Sequence, residues 1–173
     1  MSSATLPNHH APLRWLWLSV AVIAFDLGSK AWASTGLDYN RPIELLPVFD
    51  LRLLHNTGAA FSFLATQGGW QRWLFVAIAL IVSGLIVYWL RQTRPHQRAQ
   101  AAGYALILGG ALGNLYDRIA YGYVVDFISL HYGEWYFPAF NIADSAITLG
   151  AIILIYDALF LSRDSAKNGV NNP

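Results

Sequence analysis

The chain of 173 residues has no cysteine, one methionine and few charges. The missing cysteine excludes a thiol nucleophile, a disulfide framework and thiolate metal ligation. Only 12% of the residues are Asp, Glu, Lys or Arg, about half the share usual for a soluble domain. No internal repeat or low-complexity block is visible, no Gly-x-Ser-x-Gly elbow and no His-Glu-x-x-His zinc motif occurs, and no glycine-rich phosphate loop follows a strand. The five histidines are dispersed and the formal net charge is +1, which argues against a metal centre and against nucleic acid as a partner. A Ser145–His131 nucleophile pair is the one hydroxyl-based constellation open on paper.

What the chain has instead is apolar length. Four proline-free runs, 13–33, 70–90, 99–116 and 142–161, each approach the ~20 residues that cross a bilayer core as a helix. The first does not read as a cleaved secretory signal, because no cleavage site leads into a soluble domain and three further runs follow. The expected fold is therefore an all-α polytopic membrane protein with four transmembrane helices, and residues 1–173 read as one integral-membrane domain. Loop charges give its orientation. Arg91, Arg94 and Arg98 link the second and third runs with no acid between them. The segments 34–69 and 117–141 carry most of the acids, so both termini are expected in the cytoplasm and those two loops outside. Trp15, Trp17, Trp32, Trp70, Trp73 and Trp89 fall near span ends, where indole rings favour the interface.

The outer loops carry structure of their own. Phe49–Leu54 alternates apolar and polar residues as a half-exposed strand does, and His55-Asn56-Thr57-Gly58 is a turn signal. A second strand over Ala59–Leu64 would complete a hairpin that either caps the helices or covers a substrate, with Phe61, Phe63 and Leu64 dipping into the headgroups. The aromatic-rich stretch 119–141 reads as a segment lying along the interface. Anchoring explains its aromatics but not Asp126, set between Val125 and Phe127.

Ionisable residues at membrane depth are functional candidates by default. Asp26 and Lys30, four apart on one helix face, read as a structural ion pair. Gly110, Asn114 and Arg118 share a face, Gly109 and Gly113 form a small-xxx-small packing pattern, and Asp117 is expected to face the interface. Asn141 and Asp144 have the spacing of an N-cap and its capping-box acid, so Asp144 is open to a structural or a catalytic reading. Asp126, Asp144, Asn114, Arg118, Asp26, Lys30 and Asn56 all map to the outer third of the expected topology. Two carboxylates brought together cannot both ionise easily, so a pair formed by Asp126 and Asp144 could hold a shared proton and activate water. A proton-coupled transporter and a non-enzymatic envelope scaffold are the alternatives of other classes. The first expects polar groups through the whole bilayer depth, yet Asp157 is the main one near the inner side.

The segments Asn56–Phe61, Gly109–Arg118, Val124–Phe127 and Phe140–Ser145, with Asp26 and Lys30, resemble those of the bacterial lipoprotein signal peptidases, signal peptidase II. The resemblance spans nearly the whole chain in order. It implies a four-helix inner-membrane aspartic endopeptidase with a sheet-like periplasmic cradle and no metal or organic cofactor. It implies a substrate, the prolipoprotein, cut just before a cysteine that already carries a diacylglyceryl group. It further implies Asp126 and Asp144 as the catalytic pair, and Asn56, Gly58, Asn114, Arg118 and Asn141 as residues positioning the scissile region. Sensitivity to globomycin, contact with membrane lipids and a monomeric enzyme are expected with it.

Overall fold

The computed structural model describes residues 12–58 and 69–161. A 3-10 turn, Pro12–Trp15, opens helix α1 (Leu16–Gly36); strands β1 (Ile43–Leu46) and β2 (Phe49–Asn56) follow, then helices α2 (Trp70–Gln92) and α3 (Arg98–Ala120), strands β3 (Val124–Tyr132) and β4 (Trp135–Tyr136), and α4 (Ile142–Tyr156), which runs into a π-helical turn at Asp157–Leu161. Among the described residues three stretches, Leu13–Gly36, Trp70–Gln92 and Ile142–Phe160, are long and apolar enough to cross a membrane. Helix α3, expected as a fourth span, has 23 residues and so about 35 Å of length, but is less apolar. The reason lies in its neighbours: it packs against α1, α2 and α4 alike, so small residues replace the lipid-facing leucines and isoleucines of the others.

Glycines set how closely α3 approaches two of them. A Cβ on Gly109 would come within 2.7 Å of Val22, and one on Gly113 within 2.5 Å of the Asp26 carboxylate, both on α1. On the neighbouring stripe, a Cβ on Gly110 would collide with the Ala143 carbonyl of α4, and one on Gly150 of α4 would come within 2.7 Å of the Gly103 carbonyl oxygen. Contacts therefore advance together along α1 and α3 and in opposite senses along α3 and α4, making the first pair parallel and the second antiparallel. Gly110→Val is expected to lower stability by about 1–3 kcal/mol, the usual effect of overpacking, read as an earlier thermal transition in detergent. An unchanged transition would mean that the α3–α4 crossing is loose.

The strands form one antiparallel sheet in the order β1-β2-β3-β4. Strand β2 is where the alternation placed it, but its partners are β1 and β3, with Asn56 opposite Val124 and Leu54 opposite Asp126. The hairpin partner expected at Ala59–Leu64, with Phe61 and Phe63, lies outside the described residues. The stretch expected to lie along the interface is instead largely a strand: burial on both sides of Val124–Phe127 gives it the continuous apolar run of an interior strand rather than a surface one. Leu53, Val125 and Phe127 pack on Ala33 and Leu37 at the end of α1, and Trp32 meets Phe127 edge to face. One further pairing positions the site. The amides of Phe127 and Ile128 donate to the Phe140 carbonyl, and Phe140 donates back to Ile128, which fastens the chain just before α4 against β3.

Candidate active site

That pairing delivers Asn141, the last residue before α4, beside Asp126 on β3. The Asn141 Nδ2 donates to Asp126 Oδ1 at 2.7 Å, while its Oδ1 accepts from the Asp144 amide at 3.0 Å. The Asp144 carboxylate reaches back to the Asn141 amide at 3.3 Å, completing a capping box. The cap and the approach of the two acids are thus one structure: a single asparagine binds Asp126 with its side chain and Asp144 with both side chain and backbone. The sequence alternatives for Asp144, cap or catalyst, do not compete.

Asn114 forms a second bridge. Its Oδ1 accepts from Lys30 Nζ at 2.9 Å and from Asn141 Nδ2 at 3.2 Å, and its Nδ2 donates to Asp144 Oδ1 at 2.8 Å. The lysine fixes that orientation, since an ammonium only donates and a flipped amide would present NH₂ to it. On the other side, Asn56 Nδ2 donates to Asp126 Oδ2 at 3.0 Å, and its Oδ1 accepts the Gly58 amide at 3.0 Å, an Asx turn that holds the side chain in place. Arg118 donates to the carbonyls of Asn114 at 3.3 Å and Gly58 at 3.4 Å and lies over the Phe75 ring. All seven expected site residues are therefore gathered at one end of the helices, and Gly58 takes part through its backbone.

Asn56, Asn114, Arg118, Asp126 and Asp144 line a cavity of about 660 Å³ whose other walls include Phe137, Phe140, Leu149 and Ile152. Asp126 is 2% exposed. Burial first and the Asp144 charge second, against the amides of Asn56 and Asn141 and the Lys30 charge, push its carboxyl up to about 7. A carboxyl that keeps its proton to about 7 when folded, against an ordinary 3.8, makes folding less favourable as pH rises through that window and has no further effect above it.

One expectation needs correcting. Asp117 does not face the interface: it is 1% exposed, pairs with Lys30 at 3.0 Å and accepts the Val125 amide at 3.1 Å. A signal for this was present, because Gly109, Gly113 and Asp117 recur every four residues on the α1-facing stripe of α3. Nor do Ser145 and His131 form a pair. The serine hydroxyl donates to the Asn141 carbonyl, and the imidazole lies 3.2 Å from Asp50. Asp26 and Lys30 make the expected ion pair at 2.7 Å. Among the described residues, no three His, Cys, Asp or Glu side chains converge as metal ligands.

Apolar helices of membrane-crossing length, with a buried carboxyl group on β3 (Asp126) and a half-buried one on α4 (Asp144) cross-bridged on the wall of a largely apolar cavity, are the class of protein that this fold and site define. The family described as signal peptidase (SPase) II matches residues 18–160. A lipoprotein signal peptidase of Acinetobacter baumannii is 54% identical over 90% of this chain and 89% of its own length. Those of Pseudoalteromonas translucida and Vibrio parahaemolyticus are 51% and 45% identical, over 84% and 96% of this chain and 88% and 99% of theirs. A solved structure described as a bacterial membrane enzyme superposes with a TM-score of 0.76 at 30% identity, covering 89% of this chain and 90% of the other. The chain belongs to the signal peptidase II family. That membership sets aside the transporter and scaffold alternatives.

Proposed function

We propose that Asp126 and Asp144 are the catalytic pair with which this chain, a membrane protease of the signal peptidase II family, removes signal peptides from prolipoproteins. The observation that carries the reading is the double bridge by Asn141 and Asn114, which holds both carboxyl groups at one cavity wall. One carboxylate takes a proton from water as its oxygen attacks the carbonyl carbon of the scissile peptide bond; the other, protonated, donates to the leaving amine as the C–N bond breaks. The products are the free signal peptide and a new N-terminal cysteine. Asn56, Gly58, Arg118, Asn114 and Asn141 position the scissile region, and the apolar walls receive the signal-peptide segment and the acyl chains of the modified cysteine.

The reading includes four spans, the fourth being α3. Its parallel course with α1 and antiparallel course with α4 is what four successive crossings require. Arg14 and Arg98 share a cleft with Trp15 and Trp17 at the end opposite the acids, which supports cytoplasmic termini, an inner-membrane location and a periplasmic site. The enzyme acts as a monomer that needs no cofactor, and globomycin inhibits it.

Incubation in detergent with a prolipoprotein carrying a diacylglyceryl-cysteine is expected to give one new N-terminus, at that cysteine, by mass spectrometry. Cleavage elsewhere, or equal cleavage of the unlipidated precursor, counts against the reading. Activity is expected to fall as pH rises past about 7, because the pair must retain a proton and burial holds it on Asp126 up to about that pH. A rate still climbing at pH 9 would contradict this assignment.

A further inference from the structure

We propose that Asp117 is a positioning residue of the reaction, acting with Lys30 and Asp26 to set the catalytic carboxyl groups relative to one another; this rests on the reading of Asp126 and Asp144 as that pair. The Lys30 ammonium meets three groups: it forms ion pairs with Asp26 at 2.7 Å and Asp117 at 3.0 Å and donates to Asn114 Oδ1 at 2.9 Å. Each of these arms continues to the site. Asp26 Oδ1 accepts the amide of Ala143 at 2.9 Å, one residue before Asp144. Asp117 Oδ2 accepts the amide of Val125 at 3.1 Å, one residue before Asp126. The third arm ends on Asp144 itself, through the Asn114 amide. One buried cation therefore fixes the backbone entering both acids, although they stand on a strand and a helix that are 18 positions apart in the chain.

None of the three charged residues lines the cavity, and their exposures are 3%, 0% and 1%, so they act through other groups and do not touch substrate. Packing alone does not explain them. Buried ion pairs are commonly no more stabilising than apolar residues of equal volume, whereas a site needs its reacting groups held to within a fraction of an ångström. The trio also carries one positive and two negative charges behind the pair. Around Asp126 the charged groups are Asp144 from α4, Lys30 from α1 and Arg118 from α3, with neutral Asn56 and Asn141 in contact and Asp117 of α3 behind, on Lys30 and the Val125 amide. Removing the Asp117 charge leaves Lys30, which favours the ionised form of Asp126, less compensated, and so makes ionisation of Asp126 easier.

The test compares wild type, Asp117→Asn and Asp117→Ala in the lipidated-substrate assay, with Asp126→Asn in parallel. Asparagine keeps an acceptor for the Val125 amide and loses the charge; alanine loses both. Expected are a fall in kcat of about tenfold for Asn and about a hundredfold for Ala, KM within about twofold, and an alkaline limb displaced to lower pH by about half a unit or more in Asp117→Asn. Unchanged kcat, or lowered thermal stability with an unmoved pH profile, would overturn the inference and leave Asp117 a structural residue. Should neither variant fold, hydrogen exchange of wild-type residues 124–127 decides: protection equal to that of the helices is expected, and exchange within minutes overturns the proposal. If Asp126→Asn cleaves at the wild-type rate, it is the catalytic pair that fails, whatever Asp117 does.

Discussion

Asp126→Asn and Asp144→Asn are each expected to reduce cleavage by about three orders of magnitude or more, with the protein still folded. Each replacement keeps the size of the side chain and removes the only atom set able to accept and return a proton at that position. General acid–base catalysis accounts for about 10²- to 10⁴-fold per group, and members of a catalytic unit fail together rather than additively. The two variants differ in stability. Asp126 accepts from Asn56 and Asn141 in a buried setting, and its ionisation above pH 7 is opposed by burial and by Asp144. Asparagine at 126 removes that charge, so the variant unfolds at a temperature equal to or above that of wild type at pH 8 and loses much of this advantage at pH 5. Asparagine at 144 gives up a capping-box carboxylate at a helix N-terminus and unfolds earlier. Thermal unfolding at both pH values, beside the cleavage assay, checks all four outcomes; a folded Asp144→Asn that still cleaves well would reduce Asp144 to a cap.

Asn141→Ala carries the second large effect, because one side chain serves both the helix and the site. Alanine removes the acceptor for the Asp144 amide, a cap loss of about 1 kcal/mol. It also removes the donor to Asp126, to Asn114 and to the Val125 carbonyl. A fall in kcat of about a hundredfold is expected from a carboxyl group no longer tied to its partner. Asn141→Ser separates the roles. A serine hydroxyl caps a helix nearly as well as an amide but is too short to span to Asp126. Serine should therefore restore most of the stability and little of the rate. Recovery of both together would show that Asn141 is a cap only.

Much of this site was legible in the sequence, for a definable reason. Short-range geometry is encoded in spacing: Asp26 to Lys30, Asn141 to Asp144, and Gly110, Asn114 and Arg118 on one helix face all follow from helical periodicity. The hydrophobic runs, the loop charges and the alternation of Phe49–Leu54 likewise needed no tertiary information. Asp117 shows where such reading fails. By spacing alone it is one acid at the end of an apolar helix, next to Arg118, and the interface is the inexpensive place for it. Only the close approach of α1, permitted by Gly109 and Gly113, puts the Lys30 ammonium within reach and makes burial of Asp117 favourable.

The strand nature of 124–132 escaped for a related reason. Its first residues are buried on both faces, so the period of two that marks a half-exposed strand is absent there. The sequence by itself determined the helices, the acids and the family they belong to. The tertiary structure alone decided that Phe140 pairs with Ile128, that Asn141 bridges Asp126 to Asp144, and that Lys30 joins the backbone entering both. Those contacts link residues tens of positions apart, and hydrogen bonds and ion pairs of that kind depend on distance in space, which no local period of a sequence records.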